Sequence, residues 1–182
     1  MHTPHVRPTG VERTFGTDEI IVSKTDTKGV ITYANDVFLR VSALPEPDVV
    51  GRPHNLIRHP DMPRAVFKLM WDTIQAGEEI FAYVLNLAGD GAHYWVFAHV
   101  TPSSDRHGRI VGYHSNRRCP DRDAVAEAQG LYRRLRTAER QASSSPAGLQ
   151  ASTDLLAQVL AERGQTYDEL VWTLASSARA AS

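Results

Sequence analysis

Arg58, His59, Pro60 and Asp61 concentrate the chain's most versatile polar chemistry. They stand in the stretch GRPHNLIRHPDMPRAVFKLMWDTIQAG, residues 51–77. Arg58 offers a planar fork of donors, His59 a ring that donates or accepts, and Asp61 a carboxylate. At the start of a helix such a set suits a planar polar ligand or an anion. The competing role is structural, a local ion pair and cap for the helix. The eight histidines raise metal binding, but His54 and His59 have no cysteine partners at zinc spacing, so no metal site is expected. No nucleophile with an adjacent base, phosphate loop or pair of cleft carboxylates stands out, which argues against an enzyme.

The elements that must hold these residues are marked in the sequence. Asp61 is expected to cap the central helix, Pro63 to occupy its first turn and Gly77 to end it. Val66, Leu69, Met70 and Ile74 recur between them at helical spacing. Upstream, Asp18 to Thr25 and Val30 to Tyr33 read as strands joined by the turn Asp26-Thr27-Lys28-Gly29. Asn35 or Asp36 caps a short helix carrying Val37, Phe38 and Val41. Downstream, Ile80 to Leu87, Ala92 to Thr101 and Arg109 to Arg118 read as three strands. The second alternates His93, Trp95, Phe97 and His99 against Tyr94, Val96, Ala98 and Val100. Both sets are largely apolar, so both faces are expected to be covered. The count gives an α+β fold with a five-stranded antiparallel sheet.

Domain organisation follows from composition. Residues 1–16 read as a loose arm, 17–120 as the sheet domain and 121–142 as a helix. Ala124, Ala128, Leu131, Leu135 and Ala138 form a narrow seam on that helix, suited to close helix packing. Residues 143–151, within ASSSPAG and its flank, read as a flexible linker. Residues 152–182 form a helical hairpin in which Thr166 and Glu169 make a capping box. The hairpin is too small to bury a core alone and must dock on its own domain, a twin or a partner. A homodimer through the sheet or the 121–142 helix is the expected assembly.

At 182 residues, 42% hydrophobic, 23% charged and with net charge -1, the chain is ordinary globular protein. Its charge gives no support for nucleic acid as a partner. No apolar run approaches the ~20 residues of a membrane span. The polar N-terminus and single Cys119 point to a cytoplasmic location.

HNLIRHPDMP followed by LMWDTI, flanked by TDTKGVITYANDVFLRVS, GDGAHYWVFAHVTP and GRIVGYHSNRR, resembles the PAS domain of the aerotaxis-receptor family over about residues 17–120. The resemblance implies the PAS strand order, short helices on one face of the sheet, and a non-covalent FAD that reads redox state or oxygen. It implies that Arg58, His59 and Asp61 clamp the flavin, that Asn35 and Asn86 reach its ring system or ribityl chain, and that Trp71 stacks beside the ring. It also implies a signalling protein partner downstream. Two positions depart from the pattern: Ile80 stands where the family usually has Trp, and LNLAGDG, residues 85–91, replaces a basic loop. The rival readings are a PAS interaction module whose interior is filled by its own side chains, and a haem-binding PAS domain using His93, His99 or His114.

Overall fold

Short runs of β-branched and aromatic residues, punctuated by glycine turns, produce five strands. In the computed structural model, which describes residues 6–180, these are β1 (Ile21–Thr25), β2 (Ile31–Ala34), β3 (Ile80–Leu87), β4 (His93–Ser104) and β5 (Ile110–Arg118). They form one antiparallel sheet in the order β2-β1-β5-β4-β3. Between β2 and β3 lie α1 (Asp36–Ser42), α2 (Glu46–Val49), a single 3-10 turn (His54–Ile57) and α3 (Arg64–Gln75). The tail is α4 (Arg122–Gln141), α5 (Ser145–Arg163) and α6 (Tyr167–Ala180).

The sheet has two different faces. Alternation sends Ser23, Thr25, Val84, Asn86, Ala98, Val100, Tyr113, Ser115 and Arg117 to the face shared with α3. The opposite face carries Phe81, Tyr83, Trp95 and Phe97. The tail covers the β3–β4 part of it. The Tyr132 hydroxyl on α4 donates to the Tyr83 carbonyl at 2.6 Å, and its ring centroid lies 5.9 Å from that of Trp95. On α6, Trp172 packs 4.9 Å from Phe81. The expected cover on both faces is therefore present over β3 and β4.

Several local expectations need correction. The stripe that α4 buries is Ala124, Ala128, Tyr132, Leu135 and Glu139. Leu131 and Ala138 sit at its edge, half-buried. This seam is spent inside the chain, against its own sheet and against α5 and α6. The hairpin likewise docks on its own domain, with Leu156, Leu170, Val171 and Leu174 in the common core. The ASSSPAG stretch is mostly helical. Ser144 caps α5 through its side chain, and Pro146 fits the first turn, where its missing N–H costs nothing. Only 142–144 separate α4 from α5.

The N-terminal stretch is pinned in its described part. The Thr9 and Arg13 N–H groups donate to the Gly91 and His93 carbonyls, and Phe15 is buried in the core. Residues 1–5 of the expected arm lie outside the described residues. Asp61 does not cap α3. Pro63 occupies the N-cap position, and the free Arg64 N–H is taken by the Glu139 carboxylate of α4 at 2.7 Å.

Candidate functional site

A cavity of about 460 Å³ opens between the inner sheet face, α3 and the 3-10 turn. Small residues, Ser23, Ala98 and Ser115, leave depth at its floor, and its walls include Ile57, Phe67, Met70, Trp71 and Val84. Gly29 makes the room at one side. It sits in the turn after β1 with φ +77°, and a Cβ there would stand 2.9 Å from the Trp71 ring. Glycine alone satisfies both demands. Trp71 in turn is braced edge-on by Tyr113, with ring centroids 5.6 Å apart.

The polar groups of the cavity are short of partners. Asn86 Nδ2, Ser115 Oγ and Arg117 Nη1 are buried and have no hydrogen-bond partner among the described residues. These residues are only 3%, 7% and 5% exposed. An unsatisfied buried polar group costs about 1–3 kcal/mol, and these three stand together on the sheet face of one cavity.

Arg117 is the centre of this group. Its other terminal nitrogen donates to Ser23 Oγ at 2.8 Å and to His54 Nε2 at 2.6 Å, and its guanidinium lies 5.6 Å from the Phe38 ring. None of the cavity-lining residues is a carboxylate. Burial pushes the Arg117 guanidinium down to about 10. Burial, and then the Arg117 charge, push the His54 imidazole down to about 3, so the ring is neutral with Nε2 as acceptor. A buried cation without a carboxylate partner is costly, and an electron-rich ligand edge would offset that cost.

The RHPD cluster does not converge. Arg58 has extended backbone and forms an isolated antiparallel bridge with Asn86. Successive side chains of extended backbone point opposite ways. Arg58 therefore enters the cavity, its guanidinium 4.2 Å from the Phe67 centroid, while His59 turns away. Burial lowers the affinity of both groups for a proton. The His59 ring packs 6.1 Å from His93, and its Nδ1 accepts the Asp61 N–H at 3.1 Å. The Asp61 carboxylate pairs with Arg140 on α4 at 2.7 Å, largely in solvent. Asn35 also lies outside the lining. Its Oδ1 accepts the Phe38 and Val22 N–H groups and its Nδ2 donates to the Ile20 carbonyl, so cap and strand use it fully.

Of the six residues singled out by sequence, the cavity thus gathers Arg58, Trp71 and Asn86. Sequence reasoning missed Ser23, His54, Ser115 and Arg117. A usable signal was present: Arg117 and Ser115 share parity with Tyr113 on β5, which marks a charged residue on the buried face. The three histidines considered for haem, His93, His99 and His114, are all outside the lining. His99 stacks on Phe81 at 4.1 Å on the outer face and meets Glu79 at 2.7 Å. No group of three metal-ligating side chains occurs among the described residues. Ile80, the departure from the Trp pattern, is 2% exposed in the core, paired with Val100.

Comparison with known proteins agrees with this architecture. The family model described as PAS fold matches residues 19–116, more than half of the chain. The aerotaxis receptor of Escherichia coli strain K12 is 41% identical over 126 residues, which are 68% of this chain and 25% of the receptor. The nitrogen fixation regulatory protein of Klebsiella pneumoniae is 28% identical over 94 residues, 52% of this chain and 19% of that protein. The chain thus spans about a quarter or less of the length of these relatives. Among solved structures, the dark state of the blue-light photoreceptor Aureochrome1 LOV superposes with a TM-score of 0.54 at 25% identity, covering 64% of this chain and 86% of that one. A five-stranded sheet in this order, short helices enclosing a cavity on one face, and this extent of match agree: the chain belongs to the PAS family, and within it is similar to the aerotaxis receptor.

Proposed function

We propose that this is a sensory PAS protein that holds a flavin, FAD in particular, non-covalently in the cavity and reports redox state or oxygen to a separate signalling protein. The observation that carries the reading is the trio of unpartnered buried polar atoms on Asn86, Ser115 and Arg117, which stand together in a cavity of about 460 Å³. That size and lining suit a planar ligand of several rings with polar edges. The similarity to the aerotaxis receptor supports the choice of a flavin.

The fit is chemical. Arg117 Nη1 and Asn86 Nδ2 are donors for ring carbonyls and ring nitrogens, and Ser115 can donate or accept. Trp71 and Phe67 supply apolar walls. Lys28, Arg58, Arg64 and Lys68 line the same cavity and suit the phosphates of a nucleotide. Bound there, a flavin would supply reversible electron and proton uptake, while the protein sets position and electrostatics. Arg117 and Asn86 then hold the polar edge, and neutral His54 fixes the orientation of the Arg117 fork. A change in charge on the ligand's edge alters what Arg117 must balance. That side chain sits on β5, which leads directly into α4.

The interior is not filled by the protein's own side chains, which favours a ligand over the cofactor-free reading. Output to a separate protein remains part of the proposal. So does a homodimer, now through a surface other than the α4 seam. Ile20 and Tyr33, at the end of the outer face away from the tail, are 38% and 46% exposed. The test is the visible spectrum of the purified full chain. Flavin bands near about 450 nm support the proposal, a Soret band near about 400 nm replaces it with haem, and neither, with no uptake of added FAD or FMN, overturns it.

A further inference from the structure

The C-terminal helices form part of the cavity itself. Leu149, at the start of the second turn of α5, is one of the residues lining it. The contacts that hold it there converge on one carboxylate. Glu139, in the last turn of α4, is 1% exposed at its side chain. One oxygen accepts the Arg64 N–H at the start of α3 at 2.7 Å. The other meets Arg64 Nε at 3.4 Å and Arg136 at 2.6 Å. Arg64, itself a lining residue, also donates to Ser145 at the start of α5 at 2.6 Å. Gly148 allows the helices to close. A Cβ there would stand 2.6 Å from the Glu139 carbonyl oxygen and 2.8 Å from Arg64 Nη2.

We propose that Glu139 is a positioning residue for the ligand site: it latches the α4–α5 corner onto the start of α3, so that Leu149 closes the cavity and ligand release requires this corner to lift. The inference rests on the cavity being the ligand site, whatever the ligand. The argument is one of shared parts. The residues that Glu139 ties down, Arg64 and the first turn of α3, are continuous with the segment carrying Arg58 into the cavity. Lifting the α4–α5 corner removes Leu149 from the wall and leaves Arg64 without the Glu139 carboxylate. An isolated buried carboxylate would favour solvent, whereas this one is matched by two guanidinium groups and a helix N-terminus. Tail docking and ligand retention are therefore linked, and each stabilises the other.

Two readouts on the full chain test this. The first needs no cofactor: hydrogen peroxide oxidation of Met70, a lining residue, is compared with that of Met62, which is 1% exposed in the core. In ligand-free Glu139→Gln, Met70 is expected to oxidise several-fold faster than in the unmodified chain while Met62 is unchanged. The second is the rate at which added FAD leaves the protein, expected to rise about fivefold or more in the variant. If Glu139→Gln does not fold, Gly148→Ala displaces the same corner without altering a charge and is expected to give the same pair of changes. Equal Met70 oxidation in variant and unmodified protein overturns the latch. Parallel acceleration at Met70 and Met62 overturns it too, since general loosening would then explain the effect. An unmodified chain that takes up no flavin overturns the flavin reading alone, and the Met70 comparison still decides the latch.

Discussion

At the scale of single residues, the cavity separates two roles that the sequence presents side by side. Arg58 enters the cavity and Asp61 faces solvent. Arg58→Ala is expected to lower flavin content at equal protein concentration. Asp61→Asn loses an exposed ion pair of the kind that contributes about 1 kcal/mol or less, and is expected to leave flavin content unchanged. Equal loss in both variants would restore a clamp built from the whole cluster. Arg117→Met makes a sharper contrast. It removes a buried cation that lacks a carboxylate while roughly keeping volume. Flavin affinity should fall about tenfold or more, equivalent to about 1.4 kcal/mol, without a drop in the ligand-free melting temperature. A parallel drop in both would make Arg117 a structural residue only.

His54 gives the residue scale its pH signature. Its folded value, pushed down to about 3 by burial and by Arg117, lies below the ordinary value for an unfolded histidine. Between those values the unfolded chain binds more protons, so this group's contribution to stability is present above about pH 6.5 and is lost as pH falls toward 3. Urea midpoints measured from pH 7 to pH 4 should therefore fall, and His54→Gln should fall less steeply over the same interval. Identical slopes would show that other groups carry the acid sensitivity.

At the scale of elements, the strands were legible because alternation and glycine turns mark them locally. β3 was expected at Ile80–Leu87 and is found there. The site was legible only in part. Arg58 and Asn86 meet through a bridge between segments far apart in sequence, and the Arg117–His54–Ser23 contacts join β1 and β5 to the first of them. Local pattern carries no distance information of that kind. The tail shows a different limit. A seam of alanine and leucine reads the same whether its partner is another chain or the chain's own sheet. Only Glu139, a charged residue continuing the stripe of Ala128, Tyr132 and Leu135, hinted that the stripe ends on a basic helix start. Leu135 is 0% exposed, so Leu135→Glu buries an unpaired charge at a cost of several kcal/mol. The tail should detach from its own sheet, seen as new hydrogen exchange in α4 and in β3. A change confined to oligomeric state, with exchange unaltered, would contradict this packing.

At the scale of the whole molecule, the fold makes one layer do two things. The sheet's inner face supplies Asn86, Ser115 and Arg117 to the cavity, and its outer face carries α4 and α6. β5 and the Glu139 contacts offer two routes by which a change in the cavity reaches the tail. None of the described helices is long and apolar enough to cross a membrane. The central claim is that the cavity holds a flavin, and the most direct measurement is the absorption spectrum of the full chain as purified, followed by titration with FAD and FMN. The account predicts bands near about 450 nm that survive gel filtration and leave with the small-molecule fraction on denaturation. A colourless protein that binds neither added flavin, while its sheet and tail are folded by hydrogen exchange, would contradict it.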